Sequence, residues 1–469
     1  MNAQKNENES FDIAALLKQN EGRNYELHSA HVNPSNSRTL STIGFDRCYV
    51  RAEGPYLWDV DGTKYLDMLA GYGVFGLGRN NPDVRKAISD FLALDYPSLV
   101  KMEAPLLSGL LAAELKKRMP NQLDMVFFTN SGSEGIETAL KYARCATKRP
   151  GIVYCEKAFH GLTYGSLSLN GDANFREGFE PFLTDCRKIP FNDLAALEQE
   201  LARGDVAAFV VEPIQGKGVY VAPDNYLPLA AEACHAHGAL FCADEVQTGL
   251  GRTGTFFAFE QWDVEPDLVT IAKALSGGYV PVGAVIAKSQ IVETVFDKMD
   301  RAVVHSSTFS QNVLAMTAGL ATLQTLDEEE IIDNAATVGG ALMSNLKIMA
   351  DKHELVHEIR GRGLMIGIEF HRPKSRSLRA QWSLLETMRS GLFTQMVVVP
   401  LFRDHAILSQ VAGDHQNVLK ILPPLITTDE QADAFVEAMG EVLTRLERSA
   451  GLLVGVARSL ALPALRARG

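Results

Sequence analysis

Between residues 125 and 286 the chain alternates short apolar runs with amphipathic helical segments, and several of the runs stop abruptly on a polar or charged residue. A strand buried on both faces reads as a continuous apolar run, and helices must then cover those faces. The pattern therefore predicts an α/β fold built on a mostly parallel sheet. The expected strands are residues 125–128, 152–155, 207–211, 240–243, 268–271 and 282–286. Glu212, Asp244 and Lys273 fall at the ends of three of them. Ligands of open α/β sheets sit beyond such carboxyl ends, where loops and helix N-termini converge.

Before this region, residues 56–69 predict a hairpin that turns at Asp61 and Gly62. Beyond about residue 330 the pattern changes to long helical segments, residues 334–353 and 428–449, flanking short strands at 364–370 and 418–422. A second, smaller α+β domain is expected there, with both chain ends contributing to it. The expected boundaries are 1–59 for the N-terminal segment of the small domain, 60–329 for the large domain, 330–449 for the C-terminal part of the small domain, and 450–469 for a tail. Arg458 and Pro463 interrupt the apolar tail, so it is read as a frayed or docked helix and not as a transmembrane segment, with attachment to a membrane surface as the alternative.

A formal charge of −12 argues against nucleic acid or an anionic membrane as the main partner, since either would be repelled. The six cysteines form no CxxC pair, which suits free thiols in a reducing compartment. The N-terminus is polar and lacks an apolar signal core, so a cytoplasmic location is expected.

Three segments carry candidate chemistry. In FFTNSGSEGIETALKYAR, residues 127–144, a strand runs through Asn-Ser-Gly-Ser into a helix with Ile136, Ala139, Leu140 and Ala143 on one face. Free N–H groups, the helix dipole and a glycine allowing close approach suit a phosphate dianion. A plain serine N-cap with Glu134 in the first turn would read the same way. In CADEVQTGLGRTG, residues 242–254, the GxGxxG match lies well past the strand end and leads into TFFAFE, so it is read as a false dinucleotide fingerprint. The informative residue is Asp244, although taken singly a strand-end aspartate usually faces solvent. In PDLVTIAKALSGGYVPVGAV, residues 266–285, a lone lysine follows an apolar strand; desolvated there, its amine would be a nucleophile toward aldehydes. Taken singly, such a lysine is usually surface.

Taken together and in this order, NSGSE, FHG, EPIQG, DEVQTGLGRTG, the lysine segment and HSSTFSQN make residues from about 40 to 445 resemble the class III aminotransferases, fold-type-I enzymes that use pyridoxal 5′-phosphate (PLP). The resemblance implies that Lys273 forms the Schiff base with the cofactor and that Asp244 pairs with its ring nitrogen. It assigns Gly132 and Ser133 to the phosphate, Phe159 and Val246 to the two ring faces, and Gln247 to the neighbourhood of the phenolic oxygen. Thr308 would reach the phosphate of a neighbouring subunit, which implies at least a homodimer, with a dimer of dimers open. No metal ligand set is expected.

Two positions depart from the ornithine and acetylornithine pattern, where a Glu follows the QG of EPIQG and an Arg precedes PPL; here Lys217 and Lys420 stand in their place. Tyr72 matches a substrate-pocket tyrosine of ornithine-type enzymes, and with Val74 and Phe75 it offers an apolar lining, though both neighbours would also serve as core. The expected reaction is transamination between a primary amine or ω-amino acid and a 2-oxo acid such as pyruvate or 2-oxoglutarate, with a hydrophobic substrate of the hopanoid-modifying type as a variant. Decarboxylation, amino migration and racemisation on the same scaffold are the rival readings. Retention of Lys273, Asp244 and Gln247 together argues against a PLP-binding regulator without turnover.

Overall fold

The computed structural model describes residues 11–448 apart from 121, 389 and 414, so the expected tail at 450–469 lies outside the described residues. Three short helices, Ile13–Gln19, Asn24–His31 and Pro34–Thr42, lead into the strands β1 (Tyr49–Glu53), β2 (Tyr56–Asp59) and β3 (Lys64–Asp67). The expected hairpin is present: Leu57 pairs with Tyr65, and Gly62 takes the left-handed conformation, φ 82°, that the turn requires. Asp59 closes that turn, accepting from Asp61 N at 3.1 Å and Thr63 N at 2.8 Å.

The central sheet begins with β4 (Leu123–Thr129), β5 (Gly151–Cys155), β6 (Cys186–Ile189) and β7 (Val206–Val211). After a two-stranded ribbon, β8 (Ile214–Gln215) and β9 (Tyr220–Val221), it continues with β10 (Leu240–Asp244), β11 (Leu268–Ile271) and β12 (Gly283–Lys288). The order across it is β4-β12-β11-β10-β7-β5-β6. All six expected strands are present, and the sheet is parallel except for β12, which runs antiparallel to both neighbours. The added strand β6 is a short edge strand carrying Arg187 and Lys188, polar enough to hide it from an apolar-run criterion. β5, β7 and β11 are buried along their whole length, because helices cover both faces. One cover is the helix Gly132–Thr147, which buries the expected stripe of Ile136, Ala139, Leu140 and Ala143. No helix starts at the GxGxxG match; the glycines lie in turns ahead of a short 3-10 segment, Ala258–Trp262.

A further sheet, order β13-β14-β17-β16, is made of β13 (Val356–Arg362), β14 (Met365–Phe370), β16 (Gln410–Val411) and β17 (Val418–Ile421). The long helices Ile331–Ala350 and Asp429–Arg448 accompany it. Strand β15 (Ile407–Leu408) leaves that region to pair in parallel with β3, so late and early segments share one sheet. Arg252 ties this region to the turn after β10: its buried guanidinium donates to Leu364 O at 3.0 Å and to Pro423 O. Burial without an acidic partner pushes that guanidinium down to about 9. No helix among the described residues is long and apolar enough to cross a membrane.

The segment that follows β3 is held by a single buried carboxylate. Asp67 is fully buried and accepts from Leu69 N at 3.0 Å, Ala70 N at 2.8 Å and the Arg79 guanidinium at 3.0 and 2.8 Å. Arg79 also lies over the Phe75 ring, 4.0 Å from its centroid. The loop between them is thereby fixed with Gly71 and Tyr72 at φ 61° and 64°. Removing one partner of a buried ion pair leaves the other charge uncompensated. Arg79→Ala is expected to cost about 3 kcal/mol and to lower the apparent urea midpoint, with Arg79→Lys costing less; an unchanged midpoint in Arg79→Ala would refute this role.

Candidate active site

β4, β5, β7, β10 and β11 all end at one edge of the sheet, and a cavity of about 1470 Å³ opens there. This is larger than the roughly 300–1,000 Å³ usual for a small-molecule site. Every expected site residue except Thr308 lines it. Val74 does so too, whereas Phe75 packs against Gly71 and Gly278 beneath Arg79. On the outer side Arg38, exposed on the helix Pro34–Thr42, completes the lining.

At the end of β4 the chain turns through Asn130 and Ser131 into the helix that begins at Gly132. Ser131 is its N-cap, accepting from Glu134 N at 3.2 Å, and Glu134 reaches back to Asn130 N at 2.8 Å. The serine cap and the cavity-facing turn are therefore features of one structure, not alternatives. The first N–H groups of a helix have no intrahelical partner, and here Gly132 and Ser133, which carry two of them, border the cavity. Gly132 admits no side chain, since a Cβ would lie 2.8 Å from Val246 Cγ1. The approach of Val246 to the helix terminus depends on that glycine.

Three neighbouring strands, β5, β7 and β10, deliver His160, Glu212 and Asp244 into one buried cluster. His160 Nδ1 is 2.7 Å from Asp244 Oδ2. Asp244 Oδ1 accepts from Val246 N at 3.0 Å and from the Thr270 hydroxyl, on the adjacent β11, at 3.3 Å. Glu212 accepts from Phe159 N at 3.0 Å and Gly216 N at 2.8 Å, bracing the two loops that frame the site. Burial, helped by the negative charge of Asp244, moves the Glu212 carboxyl upward against His160 and those two amides. Burial also works against a charged His160, but the hydrogen bond and charge of Asp244, with Glu212 behind, outweigh it and raise the imidazole.

Lys273 follows β11 in the left-handed region, φ 42°. A non-glycine residue there costs about 1–3 kcal/mol and persists only where its surroundings over-determine it, as at functional sites. Its amine makes no hydrogen bond or ion pair with any described residue. Desolvation lowers its pKa, partly opposed by Asp244 and Glu212. Gln247 is oriented from both ends: its Nε2 donates to Tyr72 O at 3.0 Å, and its Oε1 accepts from Lys420 at 3.4 Å. Lys420 also donates to Gly216 O at 2.7 Å. Burial, with Lys273 and Lys217 nearby, pushes its amine down to about 7.

Lys217 lines the cavity with its charge already matched, and Thr308, expected to serve a neighbouring subunit, lies outside it. Lys217 is already ion-paired, 2.6 Å from Asp172 Oδ2. Thr308 is exposed and away from the cavity of its own chain, its carbonyl accepting from Lys101 at 2.6 Å. His160, Glu212 and Asp172 are site residues that the sequence reading did not assign. His160 lies in the quoted FHG segment and Glu212 at a predicted strand end, so their positions were visible. Their adjacency depends on the strand order β10-β7-β5, which no local pattern encodes.

A desolvated lysine and a buried aspartate thus stand at the ends of adjacent strands, beside a glycine-serine helix N-terminus. The sequence matches the family model "Aminotransferase class-III" over residues 41–443. The chain is 36% identical to a putrescine aminotransferase from Pectobacterium atrosepticum, covering 93% of this chain and 90% of that one. It is 34% identical to the aminotransferase PigE from Serratia sp. over 92% of this chain, and spans only 55% of that relative's length. Among solved structures, an ornithine aminotransferase from Toxoplasma gondii superposes with a TM-score of 0.80 at 26% identity, covering 94% of this chain and 99% of that one. An omega transaminase from Pseudomonas jessenii in complex with PMP gives a TM-score of 0.77 at 26% identity, covering 86% and 94%. The chain belongs to the class III aminotransferases, and the cofactor of that family is PLP.

The residues present fit this cofactor: an unpaired desolvated amine, a buried carboxylate with an imidazole partner at 2.7 Å, and a helix terminus kept open by Gly132. His160 is the support on which Asp244 depends. His160→Gln, which keeps a donor, is expected to retain PLP through gel filtration. His160→Leu should weaken PLP binding by about tenfold or more, because Asp244 is left with an unmatched buried oxygen; equal retention in both variants would show that His160 does not support Asp244.

Proposed function

We propose that this chain transfers an amino group from a terminal primary amine or ω-amino acid to a 2-oxo acid, pyruvate or 2-oxoglutarate, in the cavity at the strand ends. The observation that carries the substrate side is Lys420, a buried amine at the cavity wall whose two hydrogen-bond acceptors hold it beside Gln247. PLP, when bound, acts as the electron sink for charge left on the substrate carbon. Asp244, fixed by His160, Val246 N and Thr270, would hold the proton on the ring nitrogen. Lys273 would carry the covalent attachment and, once displaced by substrate, move the proton at the reacting carbon; its lowered pKa supplies the neutral amine that this needs near neutrality. Phe159 and Val246 would contact the ring faces, Gly132 and Ser133 the phosphate, and Gln247 the phenolic oxygen side.

The exposed Thr308 supports the reading that it serves a second subunit, so the working unit is proposed to be a homodimer, and its location the cytoplasm. Tyr72 and Val74 give the donor side a largely apolar lining. The similarity to a putrescine aminotransferase supports a terminal amine as donor. Lys420 would receive the carboxylate of the oxo acid, as a compact charge without the bidentate fork of an arginine.

Terminal primary amines are expected to outcompete α-amino acids of similar length as donors. Lys420→Ala should raise the KM for the oxo acid about tenfold or more while leaving that for the amine within about twofold. The sign with pH follows from the lowered pKa: Lys420 is cationic below about 7, so the oxo-acid KM should climb as pH rises above that value. Lys420→Arg, which stays charged, should flatten the climb. Oxo-acid kinetics indifferent both to Lys420→Ala and to pH in this range would refute the assignment.

A further inference from the structure

Lys217 sits in the turn between β8 and β9 with its ammonium 2.6 Å from Asp172 Oδ2, and the two side chains are only 11% and 18% exposed. The same ammonium lies 3.8 Å from the centroid of the Phe175 ring and 5.5 Å from that of Phe159. Those rings meet edge to face at 5.6 Å. The second oxygen of Asp172 is committed as well: Oδ1 accepts from Asn174 N at 3.0 Å and caps the short 3-10 turn Ala173–Phe175. One carboxylate therefore holds both the turn that carries Phe175 and the cation packed against it. Lys217, Phe159 and Phe175 line the cavity. Lys420 is hydrogen-bonded to the carbonyl of Gly216, the residue before Lys217.

A lysine free at this wall would attract a second carboxylate on a substrate. Paired as it is, its charge is matched, and a dicarboxylate would have to displace Asp172 from Lys217 and then sit beside the released carboxylate. We propose that Asp172 is a specificity-determining residue: by holding Lys217 in an ion pair against Phe159 and Phe175 it keeps this stretch of wall electrically neutral, so the site disfavours substrates with a second carboxylate at the end remote from the reacting carbon. The inference rests on the transamination reading above, with Lys420 receiving the carboxylate next to the reacting carbon. It selects pyruvate over 2-oxoglutarate as acceptor and, within the donor class proposed above, a terminal amine over an ω-amino acid with its far carboxylate.

The test uses the holoenzyme and two ratios, which a general loss of activity does not move. The first is kcat/KM for 2-oxoglutarate over that for pyruvate with one fixed amine; the second is the affinity for glutarate over that for butyrate, by calorimetry. Asp172→Asn keeps the shape and leaves Lys217 with an unbalanced charge, so both ratios should rise about tenfold. Asp172→Glu should restore the pair and return both toward the unsubstituted values. Lys217→Gln leaves Asp172 unpaired beside the cavity, and both ratios should fall; this variant decides the matter if Asp172→Asn does not fold. Ratios within about twofold of the unsubstituted enzyme in Asp172→Asn, or in Lys217→Gln, would overturn the proposal and make the pair structural only. Absence of transfer to either acid in the unsubstituted enzyme would end the transamination reading, and the glutarate and butyrate affinities would still decide the role of Asp172.

Discussion

Burying Asp244, Glu212 and His160 together removes their hydration, and the site exists only because each is given a protein donor or acceptor in exchange. Asp244 has the imidazole, an amide and a hydroxyl from an adjacent strand; Glu212 has two amides from the loops it braces. Both carboxylates belong to neighbouring parallel strands, so the register that pairs Ala243 with Val211 also sets the spacing of the cluster. The desolvation that makes the cluster costly is also what lowers the amine of Lys273. Structure and reactivity at this site thus share one physical cause.

A second constraint acts through the loop that carries Tyr72. The buried Asp67–Arg79 pair holds the loop of Tyr72, and the Tyr72 carbonyl orients Gln247. Gln247 and Gly216 in turn receive Lys420 from β17, in the sheet formed by later residues. Backbone groups therefore link the early loop, the central sheet and the C-terminal strands around one volume. Arg252 makes a comparable link behind the cavity by donating to carbonyls after β13 and β17.

Much of this was legible in the sequence because it is local. Continuous apolar runs marked six strands of the central sheet, the 3.6-residue stripe marked the helix after Asn130, and Asp61-Gly62 marked the hairpin. Strand-end placement singled out Asp244 and Lys273. What escaped was set by tertiary neighbours. β6 is too short and polar to announce itself. His160 and Glu212 acquire a role only through the order of β5, β7 and β10. The pairing of Lys217 was not visible, because Asp172, 45 positions away, carries no signal that it would fold against it. Val74 and Phe75 read alike, as lining or as packing; Val74 lines the cavity, whereas Phe75 packs against Gly71 and Gly278 beneath Arg79.

The cavity holds three amines, Lys217, Lys273 and Lys420, and the account gives them separate tasks: one is neutralised by Asp172, one attaches the cofactor, one receives a carboxylate. The most direct measurement is borohydride reduction of the PLP-loaded protein followed by peptide mass spectrometry. A single pyridoxyl adduct on Lys273 is the predicted result. An adduct on Lys217 or Lys420, or none on any lysine, would contradict the account.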